Sequence, residues 1–554
     1  MNNYPELTLK LLANRGITTN EDIKKFLSPS YEEDLHDPFL IKGMEKAVVR
    51  IFEAIEGNEK IIIYTDYDCD GIPGSVVFYD FFKKINYYNF DIYIPDRHKE
   101  GYGLNKEAIK KFSNKKVKLI ITVDLGINNV NEVAQAEALG IDVIITDHHL
   151  PPKNLPRAYS IINSKQLDDK YPFKELCGAG VAFKVIQGFI QKYKEYFDIN
   201  NGWEKWLLDM VGIATLSDRV VLRGENRVLA YFGLKVLQKN KRIGLQQLFK
   251  KANINSYFAS EDDISFTIAP RLNAASRMDH PQKALELLIV NNEIEGKVVS
   301  DYLTNINNER KIIVAQIMRE INKNIQHREK NELIVVGNPK WRIGVLGLVA
   351  TRLVEQYQKP IFVWGVEGGE IIKGSCRSDG SVNLVELMRK IPKQILIDYG
   401  GHEMAGGFSV VHEKIHFLED ELVKAYNVIK KAENEIINKD IFIDKEMSLK
   451  EVIMENYSQI ERLAPFGEGN PKPIFMFRDL KIEEIRIFGK NKNHLELLLM
   501  DDNKDKIKAI SFFSNAESFK IPLEDGKKIN LVANFELSRW NGNADLRLRV
   551  VDII

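Results

Sequence analysis

At 554 residues the chain is too long for a single hydrophobic core, which predicts three or four domains. Its 78 basic residues balance 78 acidic ones and 44% of its residues are hydrophobic, an ordinary globular composition that argues against a nucleic-acid coat protein and leaves room for a basic groove opposite an acidic surface. The sequence contains neither an apolar run of about 18 residues nor a charged-then-apolar leader. Cys69, Cys177 and Cys376 are too scattered for metal spacing or a disulfide scaffold, so the chain is expected in the cytoplasm and away from membranes.

Residues 1–43 read as an N-terminal arm, with short helices at Leu7–Leu12 and Glu21–Leu27 separated by Arg15-Gly16. Met44–Glu56 has helical apolar spacing and feeds IIIYTDYDCDGIPG, Ile61–Gly74. Here an apolar run breaks into Asp66, Asp68 and Asp70 and then into Gly71 and Gly74, the pattern of a buried parallel strand turning into a helix. Ligands of open α/β sheets sit at the carboxyl ends of strands. Crowded carboxylates there raise one another's pKa, a conflict that a hard divalent cation removes, so the cluster predicts Mg²⁺ or Mn²⁺. The alternative is a solvated acidic turn or an adventitious Ca²⁺ loop.

Two more strand ends carry ligands. VKLIITVDLG puts Asp124 after Leu119–Val123, and IDVIITDHHLPP puts Asp147, His148 and His149 after Val143–Ile145. The helical spacing of Val130–Leu139 makes this a β-α-β repeat, whose right-handed crossover brings both strand ends to one sheet edge. Imidazole with carboxylate favours a manganese-tolerant two-metal site. A further strand is expected at Phe90–Ile94, followed by a Gly-punctuated loop with Arg97, His98 and Tyr102. Leu176–Ile190 is expected as an amphipathic helix on the sheet. Asp218 reads either as a cap or salt-bridge partner of Arg219 or Arg223, or as another metal ligand, and spacing alone leaves both open.

Residues 231–330 are mostly helical by pattern. Within them Arg271, Asn273 and Arg277 interrupt an apolar run, and guanidinium groups clamp phosphates bidentately. Ile294–Ile325 reads as one long charged helix, a strut between domains. A second α/β unit starts near Glu332, with strands at ELIVVG, PIFVWG, Glu370–Cys376 and Phe408–Val411. Its glycine-rich stretches Gly374–Gly380 and Asp398–Phe408 are expected to be turns whose N–H groups, with Ser375, Arg377 and His402, form an anion-binding concavity. After the proline-rich bend Leu463–Phe475, five short strands (Lys481–Phe488, Leu495–Met500, Ile507–Phe513, Ile529–Leu537, Leu546–Ile553) predict a small barrel of OB type. Phe488, Lys490, Lys492, Arg539 and Trp540 are its candidate stacking platforms and phosphate contacts.

Together DYDCDG, TVDLGI, TDHH and ATLSD resemble the four motifs of the DHH phosphoesterase superfamily. PRLNAASRMDHP, GSCRS, GGHEMAGGF and LAPFGEGNPKPIF resemble, in order, the arginine motif, the DHHA1 domain and the OB domain of its RecJ single-strand exonucleases. The resemblance covers nearly the whole chain. It implies a multidomain α/β protein: arm 1–43, a DHH domain with a parallel sheet at 44–230, a helical connector at 231–330, a DHHA1 domain with a mixed sheet at 331–435 and an OB barrel at 436–554, with no further domain after it. It also implies a 5′-to-3′ exonuclease that hydrolyses single-stranded DNA to mononucleotides in recombination and repair, with two Mn²⁺ or Mg²⁺ ions. Carried over by position, Asp66, Asp68, Asp70, Asp124, His148, His149 and Asp218 form the metal set. Asp124, His149, His402 and Arg271 are the catalytic candidates. Arg97, Ser375 and Arg377 would hold the 5′-phosphate; Arg271, Asn273, Arg277, Ser378, His402 and Trp540 complete the substrate contacts. The implied partners are single-stranded DNA, a RecQ-type helicase and single-strand-binding protein, the implied state a monomer. Tyr64, Leu125, Ser276 and Arg219 depart from the family pattern without removing a carboxylate or the histidine pair. Rival readings are an enzyme for short oligoribonucleotides or cyclic dinucleotides, against which the terminal barrel argues, a non-catalytic scaffold, against which the intact ligand set argues, and a pyrophosphatase, against which the chain length and the barrel argue.

Overall fold

Strands that read as unbroken apolar runs are covered on both faces and pair in parallel. The computed structural model describes residues 4–554 apart from 98, 326, 327, 329, 367–370, 431–440, 490–493, 513, 515, 520, 541 and 542. In it, β1 (Lys60–Thr65), β2 (Phe90–Tyr93), β3 (Val117–Val123), β4 (Asp142–Thr146) and β5 (Ser160–Ile162) form a sheet of order β2-β1-β3-β4-β5, every pair parallel. The strand period of two sends Ile61, Ile63, Leu119, Ile121 and Ile144 toward helices Met44–Glu56, Gly71–Lys84 and Gly178–Tyr193. Ile62, Tyr64, Ile120, Val143 and Ile145 pack on Lys106–Asn114 and Val130–Ala138 on the opposite face.

The expected strut is a 32-residue helix, Glu293–Asn324, about 48 Å long at 1.5 Å per residue. Leu303 packs into the first core, and Val314, Ile317 and Ile321 pack into the second α/β unit. That unit holds β6 (Ile334–Gly337), β7 (Ile361–Gly365), β8 (Ile371–Arg377), β9 (Leu396–His402) and β10 (Ala405–Val411), in the order β6-β7-β8-β10-β9. Only β6 and β7 are parallel within it, so the sheet is mixed.

One expectation changes here. The glycine-rich stretches are mostly strand, with turns only after Arg377 and at Glu403-Met404: β10 lies between β8 and β9, with Gly406 opposite Cys376 on one side and Gly401 on the other. Ladder hydrogen bonds engage the backbone groups of β8 and β10, while β9 is the edge strand and keeps one row of its groups outside the ladder. Gly374, Gly401 and Gly406 serve close packing; a Cβ at Gly374 would stand 2.1 Å from the Phe408 ring.

The barrel comprises β11 (Lys445–Glu446), β12 (Phe475–Phe488), β13 (His494–Met500), β14 (Lys506–Phe512), β15 (Lys528–Trp540) and β16 (Asn543–Ile553), closed by pairing of β12 with β15. Its first long strand starts at Phe475, earlier than the expected Lys481. One bent strand pairs with β15 over Phe475–Phe477 and again at Leu480 and Lys481, across an irregularity between Phe477 and Leu480, and with β13 from Lys481 on. The arm packs onto this barrel: Leu7, Leu11, Leu12, Ile23, Phe26 and Leu27 share a core with Phe475, Phe477 and Leu531. Arg15 fastens it through Asp444 (3.2 Å), Asn470 Oδ1 (2.9 Å) and Pro471 O (2.7 Å). Buried Arg227 then ties both to the helical body, donating to the carbonyls of Phe26, Leu463, Ala464 and Pro465.

Candidate metal and phosphate centre

Register decides where the acidic residues meet. Thr65 pairs with Val123, and Val123 pairs with Thr146. The next residue of each strand is an aspartate, so Asp66, Asp124 and Asp147 form one row along the carboxyl edge of the sheet. Their N–H groups continue the ladder, donating to Val123 O, Thr146 O and Ile162 O at 3.1, 2.9 and 3.1 Å.

Asp124 adopts a left-handed backbone with φ 62°, a conformation aspartate tolerates better than most residues and one that concentrates at functional sites. It is wedged against the start of helix Gly178–Tyr193, where a Cβ on Gly178 would stand 2.5 Å from the Asp124 Cβ. The same helix start holds Asp70, whose Oδ2 accepts from Gly178 N–H at 2.6 Å and whose Oδ1 accepts from Ala179 N–H at 2.7 Å. Helix N-termini favour anions in this way. Gly178 therefore sets two carboxylates at once. Gly178→Ala is expected to displace both and weaken divalent-cation binding by about 10-fold or more, measured as loss of the upward shift that Mn²⁺ gives the thermal unfolding midpoint.

Around this row the other candidates converge. Asp68 Oδ1 accepts from Asp70 N–H (2.8 Å) and Gly71 N–H (3.2 Å), which turns the chain into its helix. His148 Nε2 stands 3.1 Å from Asp124 Oδ1 and 3.7 Å from both Asp70 Oδ2 and Asp218 Oδ2. Asp218 follows the last turn of helix Leu208–Ser217 and joins the cluster rather than forming an isolated surface pair. Asp147, outside the expected ligand set, orients the histidines: Oδ1 meets His149 Nδ1 at 2.7 Å and accepts from the N–H groups of His148 and His149, while Oδ2 accepts from Ile127 N–H. Carboxylate partners of this kind fix the rings of metal-binding histidines. The strand-end position of Asp147 was visible in sequence, but its supporting role required the register.

The electrostatics demand a counter-charge. Burial first, and then the neighbouring carboxylates, hold Asp66, Asp124 and Asp218 well above the usual carboxylate range; Asp70 is pushed up to about 7 by burial and Asp68. Burial and then His149 push His148 down to about 3, leaving it neutral. Asp66 Oδ1, Asp124 Oδ1 and His148 Nδ1 are buried without a hydrogen-bond partner. Three overlapping sets bring their ligand atoms within 4.8 Å of one another: Asp66, Asp68 and Asp124; Asp70, His148 and Asp218; Asp124, His148 and His149. Unpartnered oxygens and a neutral imidazole in this arrangement fit divalent cations.

Cations flank the cluster. Arg97 lies over the Tyr67 ring at 5.0 Å and acts on Asp66. Arg277 is pushed down to about 9 by burial and by Arg97, Arg310 and Arg377, with Asp68 opposing. Arg377 Nη2 and Ser375 Oγ both face Gly347, in the helix Ile343–Tyr357. Arginines that repel one another beside a helix's first turns are placed to receive an anion. His402, at the end of β9, stacks on His149 with ring centroids 5.7 Å apart and brings the second α/β unit to the centre.

Not every candidate arrives there. Arg271 Nη1 donates to Thr267 O, and its charged neighbour is Lys311. On helix Ala269–Met278, Arg271 and Arg277 are six positions and therefore ~120° apart around the axis, so they face different directions. Asn273 Oδ1 is buried and unpartnered. The Ser378 hydroxyl serves its own turn, donating to Val382 O and accepting from Gly380 N–H. His98, Lys490 and Lys492 lie outside the described residues, as does the side chain of Trp540. Phe488 packs on His494 and Phe512 within the barrel, and Arg539 lies over Phe258 at 4.4 Å. This last contact sits in a groove of 2240 Å³ between barrel and helical body, which reaches Ser217 and Arg219 beside Asp218. Phe266, 73% exposed on a π-turn, projects at its edge.

Three family models match this chain. The DHH family N-terminal domain matches residues 60–215, the DHHA1 domain residues 311–431 and the RecJ OB domain residues 443–552. The single-stranded-DNA-specific exonuclease RecJ of Bacillus subtilis is 34% identical over 99% of this chain and 67% of its own length. That of Haemophilus influenzae is 31% identical over 99% of this chain and 96% of its own length. The chain belongs to the RecJ family. Crystalline RecJ of Thermus thermophilus in complex with Mn²⁺ shares the fold, with a TM-score of 0.81 at 24% identity over 100% of this chain and 76% of that one.

The departures from the RecJ pattern are structural. Tyr64 is fully buried, its hydroxyl donating to Gly103 O at 3.1 Å. Leu125 fills the core on the far face of the sheet, and Ser276 Oγ donates to Asn273 O within its helix. Arg219 takes a left-handed backbone, φ 61°, directly after Asp218. Among the described residues no helix is long and apolar enough to cross a membrane.

Proposed function

We propose that this chain is a divalent-cation-dependent exonuclease that hydrolyses single-stranded DNA from the 5′ end and releases mononucleotides. The observation that carries the reading is the sharing of Asp124 between two of the three ligand sets, with the arginine cluster beside them. Asp66, Asp68 and Asp124 would hold one Mn²⁺ or Mg²⁺, and Asp70, His148 and Asp218, with Asp124 and His149 adjoining, the other. Bound cations supply an activated water and neutralise phosphate charge.

The chain's own side chains do the rest. Arg97, Arg277, Ser375 and Arg377 grip the terminal 5′-phosphate, so cleavage counts from that end. Asp147 keeps the His149 ring fixed. His402, whose pKa is lowered by burial and then by His149, stays neutral and hydrogen-bonds the scissile phosphate. The groove toward the barrel receives the rest of the strand, with Phe258, Phe266 and Arg539 as stacking surfaces. The catalytic centre lies in residues 44–230, the connector is 231–330, the second α/β unit 331–435 and the barrel 436–554, with the arm 1–43 packed on the barrel. The enzyme works as a cytoplasmic monomer in recombination and repair, with a RecQ-type helicase and single-strand-binding protein as partners.

Product analysis on 5′- and 3′-labelled single strands tests the reading. With Mn²⁺ or Mg²⁺ the 5′ label is expected first in mononucleotides, while the 3′ label persists in shortening chains; EDTA stops both. Release of the 3′ label first, or turnover in EDTA, would refute it.

A further inference from the structure

The cations near the centre lie on two flanks. Arg97 acts on Asp66, and Arg277 on Asp68. On the other flank stands Lys165, whose charge acts on His148, Asp218 and His402. It lines a cavity of 540 Å³ together with these three residues and His149. Its position is built in, because Asn163 Nδ2 donates to His149 O at 2.9 Å while Asn163 Oδ1 accepts from Lys165 N–H at 2.9 Å. Asn163 thus ties the backbone of Lys165 to that of His149. Its ammonium faces Glu175 Oε2 at 3.9 Å, beyond hydrogen-bonding distance, with 22% of the side chain exposed. This ammonium is placed to receive an anion from the cavity.

We propose that Lys165 binds the backbone phosphate that follows the scissile one, on the strand that remains after cleavage. The inference rests on the exonuclease reading above. If the arginine flank holds the terminal phosphate and the carboxylates face the scissile one, the next phosphate on the opposite side meets Lys165. A flexible ammonium is a point charge and suits a phosphate whose orientation varies along an unpaired strand. Glu175 is its counter-charge when no strand is present.

Two substrates separate this role from any other. A 5′-phosphorylated dithymidylate has a terminal and a scissile phosphate, and the trithymidylate adds the one assigned to Lys165. With the full-length enzyme and Mn²⁺, Lys165→Gln is expected to lower the ratio of kcat/KM for the trinucleotide over the dinucleotide by about tenfold, as loss of a charge-assisted contact should. Lys165→Arg should keep that ratio within about threefold of the parent. The salt dependence of binding to a longer strand should also fall, by about 0.7 in log–log slope. An unchanged ratio overturns the proposal, whether both rates fall together, as they would if Lys165 only tuned Asp218, or neither falls. Where the parent cleaves only longer strands, an unchanged salt slope for Lys165→Gln overturns the proposal; failure of the parent to release mononucleotides from a long single strand would instead overturn the exonuclease reading.

Discussion

Asp124→Asn is expected to abolish strand cleavage while leaving single-strand binding close to that of the parent. Asp124 belongs to two ligand sets, stands 3.1 Å from His148 Nε2 and has a buried oxygen with no hydrogen-bond partner. Its amide isostere keeps the volume wedged against Gly178 and removes the charge that both sets share. A contribution of several kcal/mol to the barrier corresponds to a loss on the order of 10³-fold or more. Binding should persist because Arg97, Arg277, Arg377 and the barrel groove are untouched. Asp147→Asn makes the contrast: it weakens the support of His149 without removing a ligand, so the expected loss is about 10- to 100-fold. Initial rates with Mn²⁺ and equilibrium binding to a fluorescent oligonucleotide measure both variants. Near-parental turnover by Asp124→Asn would end the shared-ligand account.

What the sequence made legible follows the physics of strand ends. A buried parallel strand announces itself as an apolar run, and a carboxylate that ends such a run must sit at the edge of the sheet. Asp66, Asp124 and the His148-His149 pair could therefore be placed before any coordinates. Asp218 could not, because its helix gives no sign of which element it approaches. The glycine-rich stretches of the second α/β unit were misread because glycine is most often a turn residue. Gly374, Gly401 and Gly406 instead let three strands and the Phe408 ring pack closely, which depends on partners remote in sequence. The arginine motif was legible as a unit, but which guanidinium turns toward the carboxylates depends on helical phase, and the structure turns Arg277 rather than Arg271. Lys165 and Gly178 left no signal, since one acts through a tether to His149 and the other through the atom it lacks.

Removing divalent cations should make stability fall as pH rises between about 6.5 and 8. Asp66, Asp124 and Asp218 have pKa values raised on folding, and Asp70 is raised to about 7. A carboxylate with a raised folded pKa contributes stability that is complete below its unfolded value, near 4, and is lost as pH climbs through the folded value. His148 works the other way: its folded value is depressed to about 3, so it adds stability as pH rises, but only up to its unfolded value near 6.5. Above that pH the carboxylates act unopposed, and His149, raised through its Asp147 contact despite burial, adds to the decline. One net proton corresponds to about 1.4 kcal/mol per pH unit. Mn²⁺ at a hundred times its dissociation constant should restore about 2.7 kcal/mol, and more at higher pH because binding displaces protons. Thermal unfolding in EDTA and in Mn²⁺ at pH 6.5, 7.25 and 8 reads both effects. Asp124→Asn should flatten the EDTA series, raise its midpoint at pH 8 and lose most of the Mn²⁺ shift, because the charge that destabilises the metal-free centre is the one that draws the cations in. A metal-free midpoint that rises with pH, with no response to Mn²⁺, would show that these carboxylates do not share one buried site.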